Sequence, residues 1–302
     1  MDFIMARMNT SLKALHRSEK KRNNISSLIK GVAVALALIA TPLTYHYVSS
    51  RPDIFSSLVT LSDARRDSSV RQRFLNTLVK KDEIPGCAGI VYDHEGTQII
   101  EYINQQIAIA QRLTNLKDSP ESIGENLDSF KGGNYDVKTP EILQLSGQGR
   151  TVPIFVGKQF FESKEFSYLS APEMKAVLVF HEGEHVRQHR DGFPYLSKEE
   201  IQDSLEHKTL DPLVLYESYE YDARIREVPR VLSSPSLGWY FKEDVKARFL
   251  ASGFYLTKSS KGASPQQQRL VEQLHSVVGK NPLLRDVPID SRYFKARAEL
   301  MK

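Results

Sequence analysis

The residues best suited to chemistry are His181, Glu182 and His185, set in VLVFHEGEHVRQH. This is the HExxH pattern. Residues four apart share a helix face, so the two imidazoles stand one turn apart and both reach one zinc ion. Glu182 sits beside them, suited to hold and deprotonate a water that the ion makes acidic. The ordinary alternative is a charged helix face with two satisfied histidines. It leaves unexplained why an Ala/Val/Leu/Phe-rich helix carries His and Glu at this spacing.

A catalytic zinc takes three protein ligands and keeps a fourth position for water. His189 continues the four-residue step, but two turns of helix put it about 12 Å along the axis from His181, while ligands sit about 2 Å from the metal. The longer HExxHxxGxxH pattern fails too, because Gln188 and Asp191 stand where its glycine and third histidine belong. His189 therefore reads as a surface or substrate-side residue. The next helical stretch, LVLYESYEYDARIREV (213–228), offers Glu217, Glu220, Asp222 and Glu227.

Over 173–228 the sequence resembles the gluzincin metallopeptidases, in which HExxH on one helix is completed by a glutamate on a later one. That glutamate often begins an E-x-x-A stretch, here Glu220-Tyr221-Asp222-Ala223. The resemblance implies one Zn2+ held by His181, His185 and Glu220, with Glu217 as the alternative ligand, and a small alanine that lets the two helices pack closely. Many gluzincins carry an aspartate just after the alanine to support a zinc-bound histidine; this chain has Arg224 there. Asp222 or Glu227 is then the candidate support, since a zinc histidine commonly donates its other N–H to such a group. Glu227 lies seven residues after Glu220 and shares its face. The implied reaction is hydrolysis of a peptide bond with Glu182 as general base. The oxyanion needs a second donor, and His207, Tyr216, Tyr219, Tyr221, Arg224 and His189 are all candidates. His207, in the segment between the two helices, is also a candidate catalytic helper. The rival reading is a structural or degenerate zinc domain that serves as a membrane-tethered interaction module. A domain without metal is a third.

The elements that position these residues read as α+β and mainly helical. Ser170-Ala171-Pro172-Glu173 opens the motif helix with a cap, an early proline and a glutamate at the third position. Asp191-Gly192-Phe193-Pro194 closes it. Pro229 ends the next helix. Helices are also expected over at least the second half of 53–81 and over 105–113, 240–256, where Gly253 is an internal weak point, and 266–278. AGIVYD (88–93) and TQIIEYI (97–103) read as a strand pair about His94-Glu95-Gly96. TVPIFVG (151–157) is a further strand, placed at an edge by Pro153, where a peptide can add as another strand. Residues 117–139 read as a long surface connection, and the tail from Asn281 carries no strong signal. With the resemblance, this amounts to a zincin-like domain in which a small mixed or antiparallel sheet packs against the HExxH helix.

The 302 residues with 26% charged suffice for one large folded domain or two small ones. The net charge of +4 is mild and partly held in the N-terminal tail, so nucleic acid is not an expected partner. The single cysteine, Cys87, allows no intrachain disulfide. Residues 1–30 are basic, and 31–48 (GVAVALALIATPLTYHYV) is a short apolar run ending in Tyr45 and Tyr47. The expectation is a single-pass anchor in a lipid bilayer with the N-terminus cytoplasmic. Residues 49–302 would then form an extracytoplasmic domain, periplasmic in a bacterium, with its catalytic core at about 140–256. Secretion after signal cleavage is the alternative. The expected substrate is a peptide or protein.

Overall fold

A computed structural model describes residues 59–80, 82–114, 127–139, 151–197, 199–201, 209–262 and 264–302. In chain order the main elements are α1 (Leu61–Arg66), α2 (Arg71–Leu78), β1 (Cys87–Tyr92), α3 (Thr97–Thr114), β2 (Val137–Lys138), β3 (Val152–Val156) and α4 (Gln159–Glu162). The motif helix follows in three consecutive pieces: α5 (Ala171–Ala176), a π-helical turn (Val177–Glu182) and α6 (Gly183–Asp191). Then come α7 (Pro212–Ser233), α8 (Trp239–Ser259), α9 (Pro265–Lys280), α10 (Pro282–Arg285) and α11 (Ser291–Leu300).

The fold is mainly helical around a small mixed sheet of order β1-β3-β2, an arrangement consistent with a zincin-like domain. β3 is parallel to β1 and antiparallel to β2, and all five of its residues are buried. This corrects the edge placement of 151–157. Pro153 donates no backbone hydrogen bond, and the β1–β3 register shifts between Cys87 and Gly89, the latter opposite Pro153, which accommodates the missing N–H. The edges are β1 and the short β2.

TQIIEYI also needs correction, from strand to the first turns of α3. Ile99 and Ile103, four residues apart, are both buried, with Tyr102 beside them. The Asp93 carboxylate accepts from the Ile99 N–H at 2.9 Å and so serves an otherwise unmade donor in the first turn. Gly96 makes the bend at φ 72°, and a Cβ there would stand 1.6 Å from the Phe130 carbonyl oxygen.

The motif helix starts where its cap signal lies. The Ser170 N–H and hydroxyl donate to Glu173 at 2.6 and 2.7 Å. It ends at Gly192, whose φ is 85°. Met174, Leu178 and Val186 bury its apolar side in the core that also takes Ile154 and Phe155. α7 runs on past Pro229 to Ser233, contrary to the expected stop. Val228 and Val231 are fully buried and hold its last turn in the core despite the lost hydrogen bond. The tail, without signal in the sequence, forms α10 and α11. Tyr293 and Arg297 of α11 both reach the buried Asp244 carboxylate on α8.

The expected membrane helix, and with it the lipid bilayer as a partner and the single-pass, extracytoplasmic topology, finds no support in the described residues. Among the described residues no helix is long and apolar enough to cross a membrane. Residues 31–48 themselves lie outside the described residues.

Candidate metal centre

The motif helix and α7 bring His181, His185 and Glu220 together, with one ligand atom from each lying within 4.8 Å of the others. His181 Nε2 is 3.5 Å from Glu220 Oε2, and His185 Nε2 is 3.5 Å from Glu220 Oε1. These separations are long for hydrogen bonds. They match the edge of a tetrahedron about a zinc ion, which is about 3.4 Å for ligands 2.0–2.2 Å from the metal. Two imidazoles and a carboxylate are also a donor set zinc accepts, so the residues fit the ion. The three side chains form a metal-binding cluster of the kind found in a zinc-dependent hydrolase. With Glu182 beside it, the arrangement is a zinc-peptidase-like catalytic geometry. Glu217, the alternative ligand, lies outside the cluster.

Each histidine has a partner on its far side. His181 Nδ1 lies 3.3 Å from Glu227 Oε2, a charge contact whose alignment falls short of a hydrogen bond. Glu227 is buried and receives Arg224 Nη1 at 2.5 Å. Burial raises the Glu227 pKa, but the Arg224 guanidinium beside it and His181 outweigh that and hold it at about 2. Burial and Arg224 lower the His181 pKa, but Glu227 and Glu220 more than offset them and leave it raised. Glu220, for which burial works toward a higher pKa, is held well below the usual carboxylate range by His185 and His181. Both carboxylates facing His181 are therefore held in their ionised form, the form that binds a cation.

His185 Nδ1 faces Gln188 Oε1 at 3.0 Å. Gln188 Nε2 donates to the Tyr219 carbonyl and to Asp222 Oδ2, both at 3.0 Å. Asp222 therefore supports His185 through Gln188, not by direct contact. Gln188 was missed in the sequence, although its place three residues after His185, on the same face, was the available signal. Asp222 and Glu184 are both buried, and Arg187, Arg226 and Arg230 surround them. Arg187 Nη2 reaches Asp222 at 2.9 Å and Arg230 Nη1 reaches Glu184 at 2.6 Å. These pairs lock α6 to α7 next to the metal ligands.

Glu182 is buried, and its Oε2 accepts twice from Thr139, from the N–H at 3.0 Å and the hydroxyl at 2.8 Å. Thr139 follows β2 directly and carried no signal in the sequence. Tyr216, one turn before Glu220 on α7, places its hydroxyl 3.5 Å from Glu220 Oε1, and the Lys138 ammonium stands 5.3 Å from its ring centre.

The other candidate donors divide differently. Tyr219 is buried against Phe193 at 4.2 Å, and Tyr221 is stacked on Phe249 at 5.4 Å, so both are packing residues. Arg224 is bound to Glu227. His189 is only 3% exposed, which corrects its surface placement, and it is not part of the cluster. His207 lies outside the described residues. No protein-family model, curated protein or solved structure matches this chain.

Proposed function

We propose that the protein is a zinc-dependent peptidase. The observation that carries this reading is the 3.5 Å spacing of both Nε2 atoms from the two oxygens of Glu220, with the Glu182 carboxylate next to them in the chain. His181, His185 and Glu220 would hold the ion, with Glu227 and, through Gln188, Asp222 orienting the two imidazoles. Zinc bound there supplies a Lewis acid that makes water acidic near neutral pH and polarises a carbonyl.

The chain's own residues do the rest. Glu182 takes the proton of the attacking water and passes it to the leaving amine nitrogen. Tyr216 is the donor placed for the oxyanion. Its hydroxyl is within 3.5 Å of a ligand oxygen, and hence at most about 5.7 Å from a metal held 2.2 Å from that oxygen. That bound keeps the hydroxyl close to where a substrate oxygen on the metal would sit.

The deciding experiment is Glu182→Gln, with bound metal and hydrolysis of a peptide mixture both measured. Retained metal with lost hydrolysis is the expected result. Retained metal with unchanged hydrolysis would show that Glu182 is not the base and would leave a structural metal site.

A further inference from the structure

Glu182 is anchored from the sheet. Thr139 sits just beyond β2, where Val137 pairs with Val156 and Lys138 with Phe155. Both its N–H and its hydroxyl point at the same carboxylate oxygen, Oε2. A carboxylate oxygen offers about two lone-pair directions, so two donors fill it. Among the described residues no donor reaches Oε1. The two oxygens of the base are therefore chemically distinct.

We propose that Thr139 is a positioning residue that grips Glu182 through Oε2 and leaves Oε1 as the oxygen that takes and returns the proton. The inference rests on the peptidase reading above. A proton placed on Oε2 would point at a Thr139 donor and break one of the two bonds, whereas a proton on Oε1 leaves both intact. The cycle then balances. A water O–H bond breaks, its proton goes to Oε1, and the water oxygen bonds to the carbonyl carbon. The C–N bond breaks, and Oε1 returns the proton to the leaving nitrogen. Thr139 stays fixed throughout, because the strand pairing holds its backbone.

The test uses the full chain loaded with Co2+ and acetohydroxamic acid as the probe. Hydroxamates chelate the metal and share a proton with the base, and their binding changes the cobalt spectrum. Thr139→Val keeps the shape and the backbone donor but removes the hydroxyl. Loss of a hydrogen bond to a charged group predicts hydroxamate affinity about tenfold weaker at unchanged Co2+ affinity, with kcat about tenfold lower at unchanged KM for peptide hydrolysis. Thr139→Ala must give the same loss, and Thr139→Ser must restore both values. In a Glu182→Gln background, Thr139→Val must leave hydroxamate affinity unchanged. Equal affinity in the wild type and Thr139→Val, an equal loss in Thr139→Ser, or a loss that persists without Glu182 overturns the proposal. Wild-type protein that takes up cobalt but binds no hydroxamate would instead refute the peptidase reading itself, and this inference with it.

Discussion

Arg224 Nη1 lies 2.5 Å from Glu227 Oε2, and the same oxygen faces His181 Nδ1 at 3.3 Å. Arg224 therefore neutralises the buried carboxylate that faces His181. Removing it strands a buried charge, which typically costs about 3–5 kcal/mol. Arg224→Met should lower the urea midpoint accordingly and weaken metal binding, and Arg224→Met with Glu227→Gln should recover most of the stability. Denaturation curves of the single and double variants check this. A single variant as stable as the parent would mean the pair does not matter.

Glu220→Gln removes a charged ligand, and Glu217→Gln does not. Metal content after dialysis should fall to near background in the first and stay at the parental level in the second. Loss in Glu217→Gln alone would reassign the third ligand.

Tyr216→Phe keeps the ring against Lys138 and deletes only the hydroxyl. Loss of one oxyanion donor costs roughly 100- to 1000-fold in kcat. The expected result is a drop toward that range with metal content unchanged, read by steady-state hydrolysis beside metal analysis. Full activity in the variant would move the oxyanion donor elsewhere.

Gly253 faces the Tyr221 ring so closely that a Cβ would stand 3.0 Å from both its hydroxyl and Cε2. Helix propensity alone favours Gly253→Ala by about 1 kcal/mol. Overpacking costs typically 1–3 kcal/mol and should prevail, because Tyr221 is buried and stacked on Phe249. A lowered melting temperature is expected; a raised one would show that α7 and α8 have slack.

Asp244 carries the clearest acid dependence outside the metal centre. Burial raises its pKa, but Arg248 and Arg297 outweigh that and hold it at about 2, against 3.8 ordinarily. A depressed carboxylate pKa adds stability that is present above the unfolded value and lost as pH falls through the folded one. The window is therefore from about pH 4 down to about pH 2, and the loss roughly 2–3 kcal/mol. Urea midpoints across that range should fall in the parent, and the difference between the parent and Asp244→Asn should shrink as pH falls. A difference that stays constant with pH would contradict the assignment.

The metal cluster was legible because helical spacing is local: His181 and His185 meet on one turn whatever surrounds them. Glu220 needed the family pattern in addition, since nothing local separates it from Glu217. Thr139 and Gln188 act through tertiary contacts made with ordinary residue types, which leave no mark in composition or period. The strand reading of TQIIEYI failed because a short apolar run fits either period, and the Asp93 cap that decides it lies outside the run. Pro153 misled for a similar reason: the register shift that tolerates it belongs to β1. Gly253 looked like a defect in α8, yet it is where Tyr221 needs room.

The π-helical turn at Val177–Glu182 means that the angular phase of the motif depends on how many residues precede it. A π turn holds one residue more than an α-helix does over the same rotation, so a chain one residue shorter between Val177 and Phe180 would close into regular α-helix with His181 and Glu182 still turned to the same side relative to Met174. The ligand and the base would then keep facing their partners on α7 and beside β2. A single deletion is therefore less disabling in this stretch than in the α-helical piece before it, where the loss of one residue would swing the motif by about 100°.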